Sequence, residues 1–161
     1  MLPFDHSSTP LQADEHYMRI AIEEAREAAR HDEVPVGAVI VSGNRIIARC
    51  HNLTETLTDV TAHAEMMAIT AAADALGGKY LTDCTLYVTV EPCPMCAGAL
   101  GWSQIGRIVY GASDPKRGFS RLCRDSITPL HPSTIVTTGI LAEEAAALMT
   151  TFFRKKRKRK N

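Results

Sequence analysis

Two cysteines and a histidine in this chain have the spacing of a metal site. Cys93 and Cys96 lie three residues apart in "EPCPMC", about one helical turn, so both thiolates can reach one ion from the start of a helix. His63, in "TAHAEMM", could supply a ring nitrogen as the third ligand. The fourth position of a tetrahedral zinc ion would then be open to water, which is typical of a catalytic zinc site.

Glu65 gives this metal hypothesis its chemistry. The carboxylate lies two residues after His63, where it could act as a general acid and base on a water molecule without binding the metal itself. Each residue alone has a simpler explanation, because a histidine near a helix start is usually a cap and a lone C-x-x-C is often a redox pair. The sequence has no second C-x-x-C to complete a four-cysteine structural site, so the combination favours a hydrolytic zinc site.

The same positions carry a resemblance to a known family. His63, Glu65, Pro92, Cys93 and Cys96 match the H-x-E and P-C-x-x-C signature of the zinc-dependent cytidine and adenosine deaminases. The resemblance implies that the histidine and the two cysteines bind one zinc ion per subunit. It also implies that Glu65 is the catalytic proton shuttle.

Within this superfamily the chain resembles the bacterial tRNA-specific adenosine deaminases in particular. The similarity runs from "EVPVGAVIV" to "GILAEEAAALMTTFFRKKR" and covers most of residues 17–157. It implies hydrolytic deamination of adenosine to inosine at the wobble position of a tRNA anticodon loop. It further implies a cytoplasmic enzyme that forms a homodimer.

The resemblance also implies a set of substrate contacts. Asn52, eleven residues before the zinc histidine, matches the asparagine that hydrogen-bonds the target base in these enzymes. The other expected contacts are two residues of the base pocket, two of the "DPKRG" loop and two near the C-terminus: Val36, Ala64, Asp114, Lys116, Phe153 and Arg154. A purely structural role is the alternative for each, because asparagine is favoured at strand ends and small apolar residues are common in a core.

Two other functions remain open at this point. Pro94 between the cysteines and Trp102 also resemble bacterial guanine deaminases, which would make the protein a small-molecule nucleobase deaminase. Against this, Lys116, Arg117 and the basic C-terminus suit phosphates that a free base lacks. The third possibility is a non-catalytic zinc-bound RNA-binding module, which would not need Glu65.

Helices and strands alternate along the chain. The patterns predict a helix over 13–32 with acids in its first turn, a β-hairpin of 34–41 and 45–50, a helix from 61 or 62 to about 76, a strand over 84–90, a helix over 93–104, a strand over 107–112, a loop over 113–132, a strand over 133–139 and a helix over 141–156. This alternation predicts an α/β fold, a three-layer α/β/α sandwich whose mixed central β-sheet has helices on both faces.

The composition fits one domain. A chain of 161 residues with 45% hydrophobic content can bury a sizeable core. Five cysteines, an odd number without a recognisable secretory signal, argue against a disulfide framework, and no apolar stretch reaches membrane-spanning length. We expect a flexible segment over 1–12, the deaminase domain over 13–153 and a basic tail over 154–161.

A net charge of zero hides an uneven charge distribution. The tail "RKKRKRK" contains 7 of the 18 Lys and Arg residues, which leaves residues 1–153 with 11 basic and 18 acidic side chains, a net charge of −7. Such a tail is either a solubilising end or a contact for a polyanion such as RNA. We expect Arg154 and Lys155 to contribute more than Arg159 and Lys160, because the last residues of a chain are usually frayed.

Overall fold

The computed structural model describes residues 8–161 and contains four α-helices and five strands within them. In chain order the elements are α1 (Pro10–Arg30), β1 (Gly37–Ser42), β2 (Arg45–His51), α2 (Ala64–Leu76), β3 (Cys84–Val90), α3 (Pro94–Ser103), β4 (Arg107–Ala112), a short 3-10 helix (Phe119–Leu122), β5 (Ile135–Thr138) and α4 (Ala142–Arg159). None of these helices is long and apolar enough to span a lipid bilayer.

The five strands form one mixed sheet in the order β2-β1-β3-β4-β5. The pairs β1–β2 and β1–β3 are antiparallel, whereas β3–β4 and β4–β5 are parallel. Alternate side chains enter two separate cores: Ala38, Ile40, Leu86, Val88 and Ile108 pack with α2 and α3, and Val39, Val41, Tyr87 and Val109 pack with α1. Helix α4 packs beside α1 against β3 and β4. The predicted three-layer α/β/α sandwich is therefore confirmed.

The first helix begins earlier than the sequence pattern predicts. Thr9 caps it through a capping box with Gln12, and Pro10 occupies the first position, where the missing N–H costs nothing. As a result the first turn contains no acidic residue, and the expectation of acids there is wrong. Asp14 lies deeper in the helix, where it is buried and forms an ion pair with Arg107 of β4 at 2.7 Å.

The last helix runs further than predicted. It continues to Arg159, so residues 154–159 of the expected tail are helical. The Arg159 guanidinium donates a hydrogen bond to Asp32 at 2.9 Å, which ties the end of α4 to the end of α1. The expectation that Arg159 is frayed is therefore wrong. At the other terminus, residues 1–7 of the expected flexible segment lie outside the described residues, and positions 10–12 are helical.

One edge of the sheet collects most of the candidate site residues. Pairing of Gly37 with His51 and of Ala38 with Val88 sets the start of β1 beside the ends of β2 and β3. The parallel partner β4 ends at the same edge. Segments that precede β1 or follow β2, β3 and β4 therefore converge there, although they are far apart in sequence.

Candidate active site

Two helix N-termini meet at this edge of the sheet. His63 is the N-cap residue of α2, and Cys93 is the N-cap residue of α3, which opens on Pro94. Both cap residues have an extended backbone, and neither side chain caps its own helix. Cys96 follows in the first turn of α3 and is fully buried. The local sequence thus brings a ring nitrogen and two sulfurs to one point.

The three donor atoms have the spacing of a zinc site. His63 Nδ1 lies 3.6 Å from Cys93 Sγ and 3.5 Å from Cys96 Sγ, and all three ligand atoms lie within 4.8 Å of one another. Tetrahedral zinc with Zn–N of about 2.0–2.1 Å and Zn–S of about 2.3 Å would separate nitrogen and sulfur by about 3.6 Å. The donor set fits zinc, and within residues 8–161 it is the one group of three His, Cys, Asp or Glu side chains so arranged.

Contacts among these groups shift their pKa values in opposite directions. The pKa of Cys93 is lowered to about 4, first by its hydrogen bond with Cys96 and also by His63. The pKa of Cys96 is raised by the same bond and by burial, and the pKa of His63 is raised by its bond with Cys93. Without metal, the lowered pKa of Cys93 favours its thiolate and the raised pKa of Cys96 favours its thiol. Metal binding releases such a proton and takes both sulfurs as thiolates.

Glu65 lies in the first turn of α2 beside the metal ligands. Its side chain is only 4% exposed, and its Oε2 atom is 3.6 Å from Cys96 Sγ. Burial raises the pKa of Glu65 to about 7, although a hydrogen bond from its own backbone N–H opposes the shift. A carboxyl group with this pKa can take up and release a proton near neutral pH, as a general acid and base requires.

A cleft of about 880 Å³ opens over the metal group. It brings together most of the predicted site residues: its lining includes Val36, Asn52, His63, Ala64, Glu65, Cys93, Asp114, Lys116 and Phe153. Cys96 lies behind the lining, buried in the wall. Arg154 does not line the cleft, whereas Arg157 does.

The position of Arg157 follows from the phase of helix α4. The residues of this helix that line the cleft are Ala146, Met149, Thr150, Phe153 and Arg157, a spacing of three and four that defines one helical face. Arg154 lies about 100° round the helix from Phe153. Extending the spacing from Phe153 by four residues would have selected Arg157 from the sequence.

Comparisons with known proteins agree with this geometry. Residues 11–112 match the sequence profile of the cytidine and deoxycytidylate deaminase zinc-binding region. The chain belongs to this deaminase family. The matched region contains all three zinc-ligand candidates and Glu65.

Individual relatives narrow the place of this deaminase within the family. The tRNA-specific adenosine deaminase of Bacillus subtilis is 47% identical over 91% of this chain and 92% of its own length. A solved structure from a study of A-to-I editing by tRNA:A34 deaminases is 45% identical, covers 83% of this chain and 98% of its own, and has a TM-score of 0.78. Guanine deaminase from Bacillus subtilis is also similar, with 39% identity over 68% of this chain and 66% of its own and a TM-score of 0.61.

The deaminase holds the loop after β4 in place through Glu91, which sequence reasoning missed. This buried carboxylate accepts hydrogen bonds from the Ser120 N–H at 3.3 Å and the Ser120 hydroxyl at 3.0 Å. Gly118 packs so closely that a Cβ atom there would meet the Glu91 carboxylate at 1.5 Å. Residues after β4 are therefore fitted onto the segment that leads into the zinc-ligand helix α3.

Asp114 stabilises its own loop as well as lining the cleft. Its Oδ1 atom accepts hydrogen bonds from the backbone N–H groups of Lys116 and Arg117 at 3.1 and 3.0 Å. This turn presents both basic residues at the cleft wall. Arg117 is thus a second cationic residue at the position where the sequence analysis expected Lys116.

Proposed function

We propose that this deaminase converts adenosine to inosine at the wobble position of a tRNA anticodon loop. One observation carries the proposal: cationic and aromatic side chains, namely Lys116, Arg117, Phe153 and Arg157, line the same cleft as His63 and Glu65. Phosphates and stacked bases of a single-stranded loop are bound by such residues, whereas a free base has no phosphate to bind. The name of the Bacillus subtilis relative supports the same substrate.

The chain's own residues account for the proton transfers of this reaction. A zinc ion on His63, Cys93 and Cys96 supplies a Lewis acid that makes water nucleophilic near neutral pH. Glu65 accepts the proton that the attacking water loses and passes it to the purine ring. It then takes the proton of the new hydroxyl group on C6 and delivers it to the amino group, which leaves as ammonia. Water and adenosine thus give inosine and ammonia, and Glu65 returns to its starting protonation state.

The target base must leave its stack to reach this point. In a single-stranded anticodon loop the cost of extruding a base is a few kcal/mol or less. Val36 and Ala64 offer an apolar and a backbone surface beside Glu65, and Asn52 offers an amide that can hydrogen-bond the edge of the base. Lys116 on the loop after β4 and Phe153 with Arg157 on α4 line the same cleft, and we assign them to the flanking nucleotides.

We further propose that the enzyme is a cytoplasmic homodimer with one zinc ion per subunit. The support is an exposed apolar pair on α3, the helix that carries both cysteines: Trp102 is 86% exposed and Met95 is 37% exposed. Contiguous exposed apolar surface marks interaction sites, and these two residues are seven positions apart, on one face of the helix. Sedimentation at micromolar concentration tests this proposal, which predicts a dimer and is contradicted by a monomer.

Deamination of free guanine is the second candidate. It is favoured by the 39% identity to the Bacillus subtilis guanine deaminase structure and by Pro94, which lies between the two cysteines as in that class. The two candidate functions differ in whether the enzyme requires nucleotides on either side of the target base.

Incubation of the zinc-loaded protein with several substrates separates these functions. The substrates are an anticodon stem-loop with a wobble adenosine, a matched stem-loop with adenosine one position away, and free guanine, adenosine and cytidine. We expect inosine in the first stem-loop alone, and a Glu65→Gln control should form none. Ammonia from guanine without inosine would establish the second candidate, and activity on no substrate would indicate a non-catalytic zinc module.

A further inference from the structure

A fully buried carboxylate lies behind the cleft, in the connection between α1 and β1. Glu33 is 0% exposed and does not itself line the cleft. Its Oε1 atom accepts hydrogen bonds from the Glu55 N–H at 2.9 Å and the Thr54 hydroxyl at 3.4 Å. Its Oε2 atom accepts from the N–H and hydroxyl of Thr56, at 2.8 and 2.7 Å. One side chain thus binds three consecutive residues of the loop that follows β2.

These bonds keep Glu33 ionised. Burial alone would raise the pKa of Glu33, but the hydrogen bonds from Glu55, Thr56 and Thr54 outweigh it and lower the pKa. An ionised carboxylate can only accept hydrogen bonds. Every group that contacts Glu33 in this loop is therefore a donor.

Because Glu33 can only accept hydrogen bonds, it also determines how Thr54 and then Asn52 are hydrogen-bonded. The Thr54 hydroxyl has one proton, and Glu33 takes it, so toward any other partner the Thr54 oxygen acts as an acceptor. The neighbouring partner is Asn52, whose Nδ2 donates to Thr54 Oγ1 at 3.3 Å. The amide of Asn52 must therefore turn its nitrogen toward Thr54, since its oxygen would find no donor there. The second amide N–H and the carbonyl oxygen take no part in this chain of bonds.

The backbone of Asn52 is fixed independently. Its N–H donates to the carbonyl oxygen of Val36 at 3.1 Å, and the next residue, Leu53, donates to Ala62 at 3.0 Å. These bonds set where Asn52 lies, but they leave the two orientations of its amide equivalent. The side-chain bond to Thr54 removes that equivalence.

We propose that Glu33 is a positioning residue that, through Thr54, fixes the amide of Asn52 in the one orientation that reads the target base. The proposal rests on the proposed function, in which Asn52 contacts that base. A wrong amide orientation would present an acceptor where the base needs a donor, or the reverse. Glu33 thus acts on base selection without touching the substrate.

Two threonines provide a matched test. Glu33→Gln would set an amide NH₂ against the donors of the loop and destabilise it, so the informative variants are Thr54→Val and Thr56→Val. Both remove one hydroxyl bonded to Glu33, but only Thr54 is linked to Asn52. Thr54 also lines the cleft, so the Asn52→Ala background separates its action through Asn52 from a direct contact. The Thr56 bond is shorter, at 2.7 Å against 3.4 Å, so a role confined to holding the loop predicts the larger effect at Thr56.

The expected result is the opposite ranking. We expect Thr54→Val to lower kcat/KM on the stem-loop about tenfold, Thr54→Ser to restore it, and Thr56→Val to change it less than about twofold. In an Asn52→Ala background, Thr54→Val should have no further effect, because the two residues act as one unit. Equal losses for the two valine variants, or a further loss in the Asn52→Ala background, would overturn the proposal.

A readout without substrate separates this inference from the proposed function. In NMR spectra, one side-chain amide proton of Asn52 should be protected from exchange with water, and Thr54→Val should remove that protection while Thr56→Val keeps it. Suppose that Thr54→Val removes the protection but the wild type does not deaminate the stem-loop. This result would reject the proposed function and support the fixed amide orientation. Unprotected Asn52 in the wild type would reject the inference even if the stem-loop is deaminated.

Discussion

The floor and the mouth of the cleft are built in different ways. The floor consists of His63, Glu65, Cys93 and Cys96, which come from two helix N-termini and interact with one another over 3.5–3.6 Å. The mouth is formed by the loop after β4 and one face of α4, whose basic residues lie at its surface. The side chains of the floor contact one another at the base of the cleft, whereas those of the mouth are basic and lie at its opening.

This difference separates chemistry from substrate choice. Activating water and moving protons depend on atoms within one small group, so they are common to a family that includes adenosine and guanine deaminases. In the proposed function, flanking nucleotides are recognised by segments that carry none of those atoms. Variants of the floor should therefore abolish the reaction, and variants of the mouth should change affinity while the chemistry remains.

The largest effect is expected for a zinc ligand. Cys93→Ala should lose zinc and all detectable deamination, because two remaining ligands hold the ion far more weakly than three. Elemental analysis of the folded protein gives the zinc content, and circular dichroism confirms the fold. Cys123→Ala is the matched control, since this cysteine lies outside the metal group. Full zinc content in Cys93→Ala would remove Cys93 from the ligand set.

Glu65→Ala should separate the metal from the proton transfer. We expect it to keep zinc at the wild-type level and to lose at least about a hundredfold in kcat, the usual cost of removing a general acid and base. Zinc analysis and single-turnover rates on the same sample provide both values. If the variant lost its metal, Glu65 would be a ligand and its assigned role would be wrong.

A smaller effect is expected at the mouth. Arg157→Ala should weaken stem-loop binding a few-fold and reduce the slope of log affinity against log salt by about 0.7–0.9, the share of one phosphate contact. Arg154→Ala is the matched control, and it should change the slope less because Arg154 does not line the cleft. Affinity at four or five salt concentrations measures both slopes. A larger change for Arg154→Ala would favour the assignment made from sequence.

The smallest expected effect is on the pH dependence of stability, measured at Glu33. The pKa of Glu33 is lowered in the folded state, so its stabilising contribution is complete above the unfolded-state pKa and is lost as the pH falls through the folded-state pKa. The difference in unfolding free energy between wild type and Glu33→Gln should therefore be largest near pH 7 and shrink in acid. Glu55→Gln, with an exposed side chain, is the control. A difference that grew on acidification would contradict the sign of the shift.

The contrast between floor and mouth also decides what the sequence could predict. Within the floor, the spacings His63–Glu65 and Cys93–Cys96 are local, whereas the contact of His63 with Cys93 spans 30 residues and is predicted by the family resemblance. The strands Cys84–Val90 and Arg107–Ala112 follow from local runs of β-forming residues, which predict their bounds correctly. The start of α1 is also encoded locally, because Thr9 and Gln12 have the spacing of a capping box and Pro10 follows the cap. Glu33 could not be found, because its partners lie 21 to 23 residues away and their contact depends on how β1 and β2 pair.

Arg157 depends both on local sequence and on the three-dimensional fold. Its place at the mouth follows from helical phase, which is local, but selecting the correct face requires knowing that Phe153 faces the cleft. Arg154 is the basic residue next to Phe153 in the sequence, whereas Arg157 is the nearest basic residue on the helical face that lines the cleft. On a helix, residues three or four apart share a face, whereas adjacent residues lie about 100° apart.

Mapping of inosine across full-length tRNA tests the central claim most directly. Zinc-loaded wild-type protein and Glu65→Ala are each incubated with a pool of tRNA transcripts that contain adenosine at the wobble position and at other single-stranded positions, and inosine is located by sequencing. We predict inosine at wobble adenosines with the wild type, none at other adenosines, and none with Glu65→Ala. Inosine spread over all single-stranded adenosines, or deamination of free guanine with unchanged tRNA, would contradict the account.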